Sequence, residues 1–117
     1  QHIGIPTRKY AETLDFYKSL GFEVVNQEEM PGMKVAFLRI HNVMLEVYES
    51  EETADKTGSI DHLSLSVEKV DQLYQEMLPQ YKVLSSEVEK LPYWKNGIRF
   101  FKVEGPNKEV IEFCEIL

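Results

Sequence analysis

The sequence predicts an α+β fold made of two tandem β-α-β-β-β modules, and three observations carry that reading. His2 opens an alternating stretch, His2-Ile3-Gly4-Ile5-Pro6, and a second one, Ile60-Asp61-His62-Leu63-Ser64-Leu65-Ser66-Val67, is built around His62. Met44-Leu45-Glu46-Val47 in the first half is echoed by Val110-Ile111-Glu112-Phe113 in the second. Between them, Ser50 to Ser59 is polar and charged with almost nothing to bury, which marks a linker. The expected organisation is one domain over residues 1–117, with module one at 1–49, the linker at 50–59 and module two at 60–117.

Each element has a local reason. Alternation from His2 to Pro6 reads as a strand. Tyr10, Thr13, Leu14, Phe16, Tyr17 and Leu20 recur at helical spacing, and Gly21 supplies a left-handed C-terminal cap. A strand from Phe22 to Glu29 turns at Pro31-Gly32 into Met33 to Ile40, and His41-Asn42 turns the chain again into Val43 to Glu49. After the linker, Ile60 to Val67 is a strand. Val70, Leu73, Tyr74, Met77 and Leu78 then lie on one face of a helix that Pro79 ends. Tyr81 to Val88, Gly97 to Val103 and Lys108 to Ile116 are the remaining strands. In the Gly105-Pro106-Asn107 turn, Asn107 is the residue suited to a left-handed conformation.

Bulk composition narrows the function classes. At 117 residues, 43% hydrophobic and 28% charged, the chain is a single-domain globular sequence. A net charge of −7 counts against nucleic acid, whose phosphates need clustered Lys and Arg. No run approaches the ~20 apolar residues of a membrane-spanning helix. The single cysteine, Cys114, makes no internal disulfide, and a cytoplasmic protein is expected.

Strand alternation places the polar residues of the repeat on one side. His62, Ser64 and Ser66 face away from Leu63, Leu65 and Val67, and Glu46 and Glu112 likewise oppose their apolar neighbours. His2, Glu46, His62 and Glu112 should therefore project from the side not covered by helices. Two imidazoles and two carboxylates suit one divalent ion, zinc, nickel, cobalt, manganese or iron(II), with two octahedral positions left open for water or substrate.

Phe16-Tyr17-Lys18-Ser19-Leu20-Gly21-Phe22, Asp61-His62-Leu63-Ser64-Leu65-Ser66-Val67, and Gly105-Pro106-Asn107 leading into Val110-Ile111-Glu112-Phe113 resemble the vicinal oxygen chelate superfamily. It includes lactoylglutathione lyase, fosfomycin-resistance thiol transferases, extradiol dioxygenases and bleomycin-resistance proteins. The resemblance covers nearly the whole chain. It implies a cupped mixed sheet with helices on its outer face, and a homodimer. It also implies that His2, Glu46, His62 and Glu112 fall on the metal-ligand positions of lactoylglutathione lyases, with Glu112 the catalytic base and Glu46 its alternate. Those lyases usually carry an arginine four residues after the first histidine to hold glutathione; Pro6 stands there, with Arg8 nearby.

The expected function is a metal-dependent lyase or isomerase moving a proton next to a carbonyl of a small oxygen-rich substrate. A thiol transferase or dioxygenase of the same superfamily, or a metal-free binding protein, are the alternatives. Tyr93 and Trp94, in the loop Leu91 to Asn96, are candidate substrate contacts. Arg39 and Arg99, basic residues on strands, are candidates for holding an anionic group.

Overall fold

The computed structural model describes residues 1–117 and has the α+β architecture expected. The chain divides into two compact units, Gln1–Asp55 and Lys56–Leu117. No helix is long and apolar enough to cross a membrane.

The first unit runs β1 (Ile3–Thr7), α1 (Tyr10–Ser19), β2 (Glu23–Met30), β3 (Met33–Ile40) and β4 (Val43–Glu49). Its sheet has the order β1-β4-β3-β2, with β1 parallel to β4 and the other pairs antiparallel. Alternation sends Leu38, Leu45 and Val47 to one face, all fully buried, and α1 packs on β4 with Thr13, Leu14 and Tyr17 inward. Two hydroxyls tie the start of the helix to the end of β1. Thr7 Oγ1 accepts the Lys9 N–H at 2.8 Å, while Thr13 Oγ1 donates to the Lys9 carbonyl at 2.7 Å, and the two hydroxyls meet at 3.0 Å.

Helix α1 ends where Gly21 was expected to stop it. Gly21 takes φ +102°, its N–H bonds the Lys18 carbonyl at 3.0 Å, and the Phe22 N–H reaches back to the Tyr17 carbonyl at 3.1 Å. That is a Schellman closure, completed by an edge-to-face contact of the Tyr17 and Phe22 rings at 5.4 Å.

The second unit runs β5 (Leu63–Ser66), α2 (Val70–Met77), β6 (Lys82–Val83), β7 (Glu89–Leu91), β8 (Ile98–Glu104) and β9 (Val110–Ile116). The sheet order β5-β9-β8-β6 repeats that of the first unit, with the opening strand parallel to the last, and β7 also pairs with β8. Val70, Tyr74 and Met77 are the buried face of α2, which packs on β8 and β9. The N-terminus of α2 is capped from across the sheet, the Glu115 carboxylate accepting the Lys69 and Val70 N–H groups at 3.0 and 3.1 Å.

Three local expectations are corrected. Of the strand expected over Tyr81 to Val88 only β6 forms, and β7 follows beyond it, because Ser85 takes over part of the ladder. Its Oγ accepts the Lys102 N–H at 3.1 Å and donates to Glu89 at 3.0 Å, so a side chain stands where a strand backbone would pair. The strand expected from Ile60 begins only at Leu63, leaving His62 one residue ahead of the ladder, as His2 stands one residue ahead of β1. In the turn before β9 the left-handed residue is Lys108, φ +65°, rather than Asn107. The Glu109 carboxylate fixes that choice by accepting the Asn107 N–H at 2.7 Å.

Candidate functional site

Register places the repeat residues opposite one another. Gly4 pairs with Glu46 across β1 and β4, and Ser64 with Glu112 across β5 and β9. Each histidine precedes its strand residue by two positions and so leans over the glutamate. His2 Nε2 lies 3.1 Å from Glu46 Oε2, and His62 Nε2 lies 3.7 Å from Glu112 Oε2. Each unit thus presents one histidine–glutamate pair on the face away from its helix.

The second nitrogen of each ring is also engaged. His2 Nδ1 contacts Gln1 Oε1, and His62 Nδ1 lies 2.7 Å from Asp61 Oδ2. Hydrogen bonding to His62 is the main cause holding the Asp61 carboxyl below its ordinary range. An acceptor at Nδ1 keeps the ring proton there and turns the Nε2 lone pair toward the glutamate. With the ring proton on Nδ1, the Nε2 lone pair is available to a cation shared with the glutamate. Two donors each ~2.0–2.2 Å from one ion stand roughly 3–4 Å apart at ordinary coordination angles, so both spacings fit a divalent metal. No group of three or more His, Cys, Asp or Glu side chains is gathered; the unit of chelation presented is the pair.

The two pairs are not equivalent. Opposite Glu46 stands Gly4, where an added Cβ would lie 3.8 Å from Glu46 Oε2, so that carboxylate has no strand neighbour to brace it and its side chain is 28% exposed. His2 is steadied instead by Phe37, edge-to-face at 5.5 Å. Glu112 is only 10% exposed at its side chain and is held through Oε1. Ser64 Oγ donates to Oε1 at 2.8 Å, and Lys102 Nζ stands 3.9 Å from Oε2. Cys114, two residues on, is a buried free thiol whose pKa is raised by burial first and by the Glu112 charge second.

The other expected site residues are scattered. Arg99 is on the helix-covered face of β8, paired in register with Glu115, and both guanidinium NH groups bind the Asp71 carboxylate of α2. Arg39 lies on β3 opposite Met44, on the same face as Glu46, and is exposed. Tyr93 and Trp94 are 54% and 66% exposed in the turn between β7 and β8, where Trp94 has φ +58°. Neither lines the apolar groove of about 300 Å³ beside them, formed by Lys90, Leu91, Pro92, Asn96, Gly97, Ile98 and Leu117.

Two residues of the second site were not singled out from the sequence. Ser64 was placed on the correct face without a role. Lys102 was passed over for Arg99, although strand parity separates them: Lys102 pairs with Glu112, and Arg99, three residues away, must face the other side.

The sequence matches the family model of the glyoxalase/bleomycin resistance protein/dioxygenase superfamily over residues 1–113. It is 28% identical over 124 residues to the uncharacterized protein YwbC of Bacillus subtilis (strain 168), an alignment spanning 97% of this chain and 94% of that protein. Its fold is that of a glyoxalase family protein from Enterococcus faecalis, TM-score 0.80 at 20% identity over 97% and 94% of the two chains. A glyoxalase I mutant from Zea mays is similar in fold at TM-score 0.72 and 15% identity, covering 97% of this chain and 43% of the maize chain. With the model matched over nearly its full length and the fold shared with such proteins, the chain belongs to the glyoxalase/bleomycin resistance protein/dioxygenase superfamily.

Proposed function

We propose that this protein is a metal-dependent lyase or isomerase that moves a proton at a carbon next to a carbonyl of a small oxygen-rich substrate. His2 with Glu46, and His62 with Glu112, are the proposed divalent-metal ligands, and Glu112 is the proposed base. The observation that carries the base assignment is the bracing of Glu112, with Ser64 on Oε1 and Oε2 left facing His62 and Lys102. A base must be held within about 2.6–3.2 Å of the proton it takes, and a carboxylate fixed through its other oxygen meets that requirement better than the unbraced Glu46.

When bound, the ion supplies positive charge next to the oxygen that becomes negative as the carbon loses its proton. Glu112 Oε2 takes that proton and the C–H electron pair moves toward the carbonyl oxygen. On a substrate with a hydroxyl on the carbon that lost the proton, the hydroxyl proton passes to the former carbonyl oxygen, and return of the carbon-bound proton from Glu112 to the neighbouring carbon completes an isomerisation and restores the carboxylate. Ser64 keeps the carboxylate from rotating during both transfers. Asp61 holds the proton of His62 on Nδ1, so that Nε2 stays a donor toward a cation.

A second reading has its own support. Iron(II) oxygenation needs only one carboxylate on the metal, and the unbraced Glu46 is the one that would stay off it. Oxygen uptake dependent on iron(II) separates the two. A homodimer in the cytoplasm, acting on a small molecule, is part of the proposed reading, and sedimentation analysis tests the dimer.

The direct test of the chemistry is carbon-bound hydrogen exchange. Protein loaded with zinc, nickel or manganese is incubated with hydroxyacetone or pyruvate in D2O and followed by proton NMR. Wild type should exchange the protons next to the carbonyl, and Glu112→Gln should lose at least a hundredfold of that rate at metal concentrations that saturate both proteins. Exchange at the wild-type rate in Glu112→Gln removes the base assignment.

A further inference from the structure

We infer that Lys102 selects a substrate carrying a carboxylate directly beside its reactive carbonyl, the 2-oxo acid class. This rests on the proposed role of Glu112 and names the substrate class of that site. Three adjacent strands carry the argument: Ser64 on β5, Glu112 on β9 and Lys102 on β8 point to the same face.

The other strongly paired cations of this unit are already used. Arg99 is bound through both NH groups to Asp71, and Lys82 and Lys108 share Glu104 at 2.8 and 3.1 Å. Lys102 differs. Its side chain is 28% exposed, and its nearest anionic oxygen, Glu112 Oε2, stands at 3.9 Å, beyond the ~2.7–2.9 Å of a charge-assisted hydrogen bond. Asp61 feels its charge only at longer range, and the Phe100 ring lies 5.8 Å from its ammonium. The ammonium therefore has N–H groups to offer to a ligand beside Glu112.

The short gap suits a ligand whose anion lies close to its reacting carbon. A carbon on Oε2 and an oxygen on Nζ, each at about 3 Å and lying side by side, are as near as roughly two or three covalent bonds when the two protein atoms are 3.9 Å apart. A carboxylate adjacent to the carbonyl meets that span, and a distant phosphate or carboxylate does not. A neutral diketone would leave the ammonium without its partner, and an unmatched polar group of this kind is how a site discriminates between isosteres.

Pyruvate and pyruvamide, equal in shape and different in charge, are the probes. Their dissociation constants are measured by titration calorimetry or ligand-observed NMR on wild type, Lys102→Met and Lys102→Arg, each metal-loaded and checked for equal metal content. Wild type should favour pyruvate by a factor about tenfold larger than Lys102→Met does, and Lys102→Arg should keep most of the preference. The same preference should be present in metal-free Glu112→Gln and absent from metal-free Glu112→Gln/Lys102→Met, which reads the lysine without metal or catalysis. An unchanged ratio in Lys102→Met overturns the inference, even if carbon-bound hydrogen exchange succeeds. Failure of exchange with the ratio intact in the metal-free pair removes the lyase reading and leaves the anion site standing.

Discussion

Removing the Ser64 hydroxyl should cost stability through Glu112, and a double-mutant cycle can show that it does. The bond is 2.8 Å long and ends on a carboxylate whose side chain is 10% exposed. Hydrogen bonds to charged groups contribute about 1.5–3 kcal/mol. Ser64 itself is exposed, so water can replace part of what is lost, and the lower end, about 1.5 kcal/mol, is expected for Ser64→Ala. Once Glu112→Met has removed the acceptor, the same substitution should cost almost nothing. Urea unfolding of the metal-free protein, followed by circular dichroism at neutral pH, should give a coupling of roughly 1–1.5 kcal/mol between the two positions. Single effects that add within about 0.3–0.5 kcal/mol would refute the claim that Ser64 acts on this carboxylate.

Four further outcomes follow from the same structure. Gly21→Ala forces a side chain into φ +102° at the end of α1 and should destabilise by about 1–2 kcal/mol in urea titration. Lys108→Gly relieves a left-handed lysine and should stabilise by up to about 1 kcal/mol, read as a higher urea midpoint at constant slope. Arg99→Met breaks the tie to Asp71 and should lower the melting temperature while leaving the pyruvate-to-pyruvamide ratio unchanged, the opposite of Lys102→Met. Hydrogen bonds from Lys82, then from Lys108, hold the Glu104 carboxyl below its ordinary range. The stability it contributes is therefore present above the ordinary carboxylate pKa and lost as pH falls through its depressed folded value. The stability gap between wild type and Glu104→Gln should accordingly be open at neutral pH and close in strong acid.

The fold was legible wherever periodicity and turn chemistry agreed. Met33–Ile40 and Val43–Glu49 have the bounds read from the sequence, because Pro31-Gly32 and His41-Asn42 punctuate them on both sides. His41 indeed takes φ +49° in its turn. Strand length failed where alternation outran pairing: Ile60 keeps the strand pattern yet is 75% exposed, with no partner to extend the ladder to it. The break at Ser85 could not be seen from propensity, since it depends on a hydroxyl meeting the backbone of Lys102 from a distant strand.

For the candidate site, the repeat was enough to find the two histidine–glutamate pairs, because each pair depends only on parity along two strands. Ser64 and Lys102 needed cross-strand register, which links β5, β9 and β8 over long sequence separations. Arg99 illustrates the cost of choosing by residue type alone. An arginine on a strand looks like an anion holder, but its parity with Phe101, Val103 and the other buried residues of that face directs it to the helix.

The ligand assignment has one most direct measurement: equilibrium dialysis of the chelator-treated chain against zinc and manganese, followed by elemental analysis. Wild type should retain metal at a fixed stoichiometry. His62→Ala should lose at least tenfold in affinity, and Asp61→Asn should fall between, in line with the about 10–100-fold cost of removing a histidine's supporting carboxylate. A wild-type protein that retains neither metal, or a His62→Ala variant that binds as wild type does, would contradict the account.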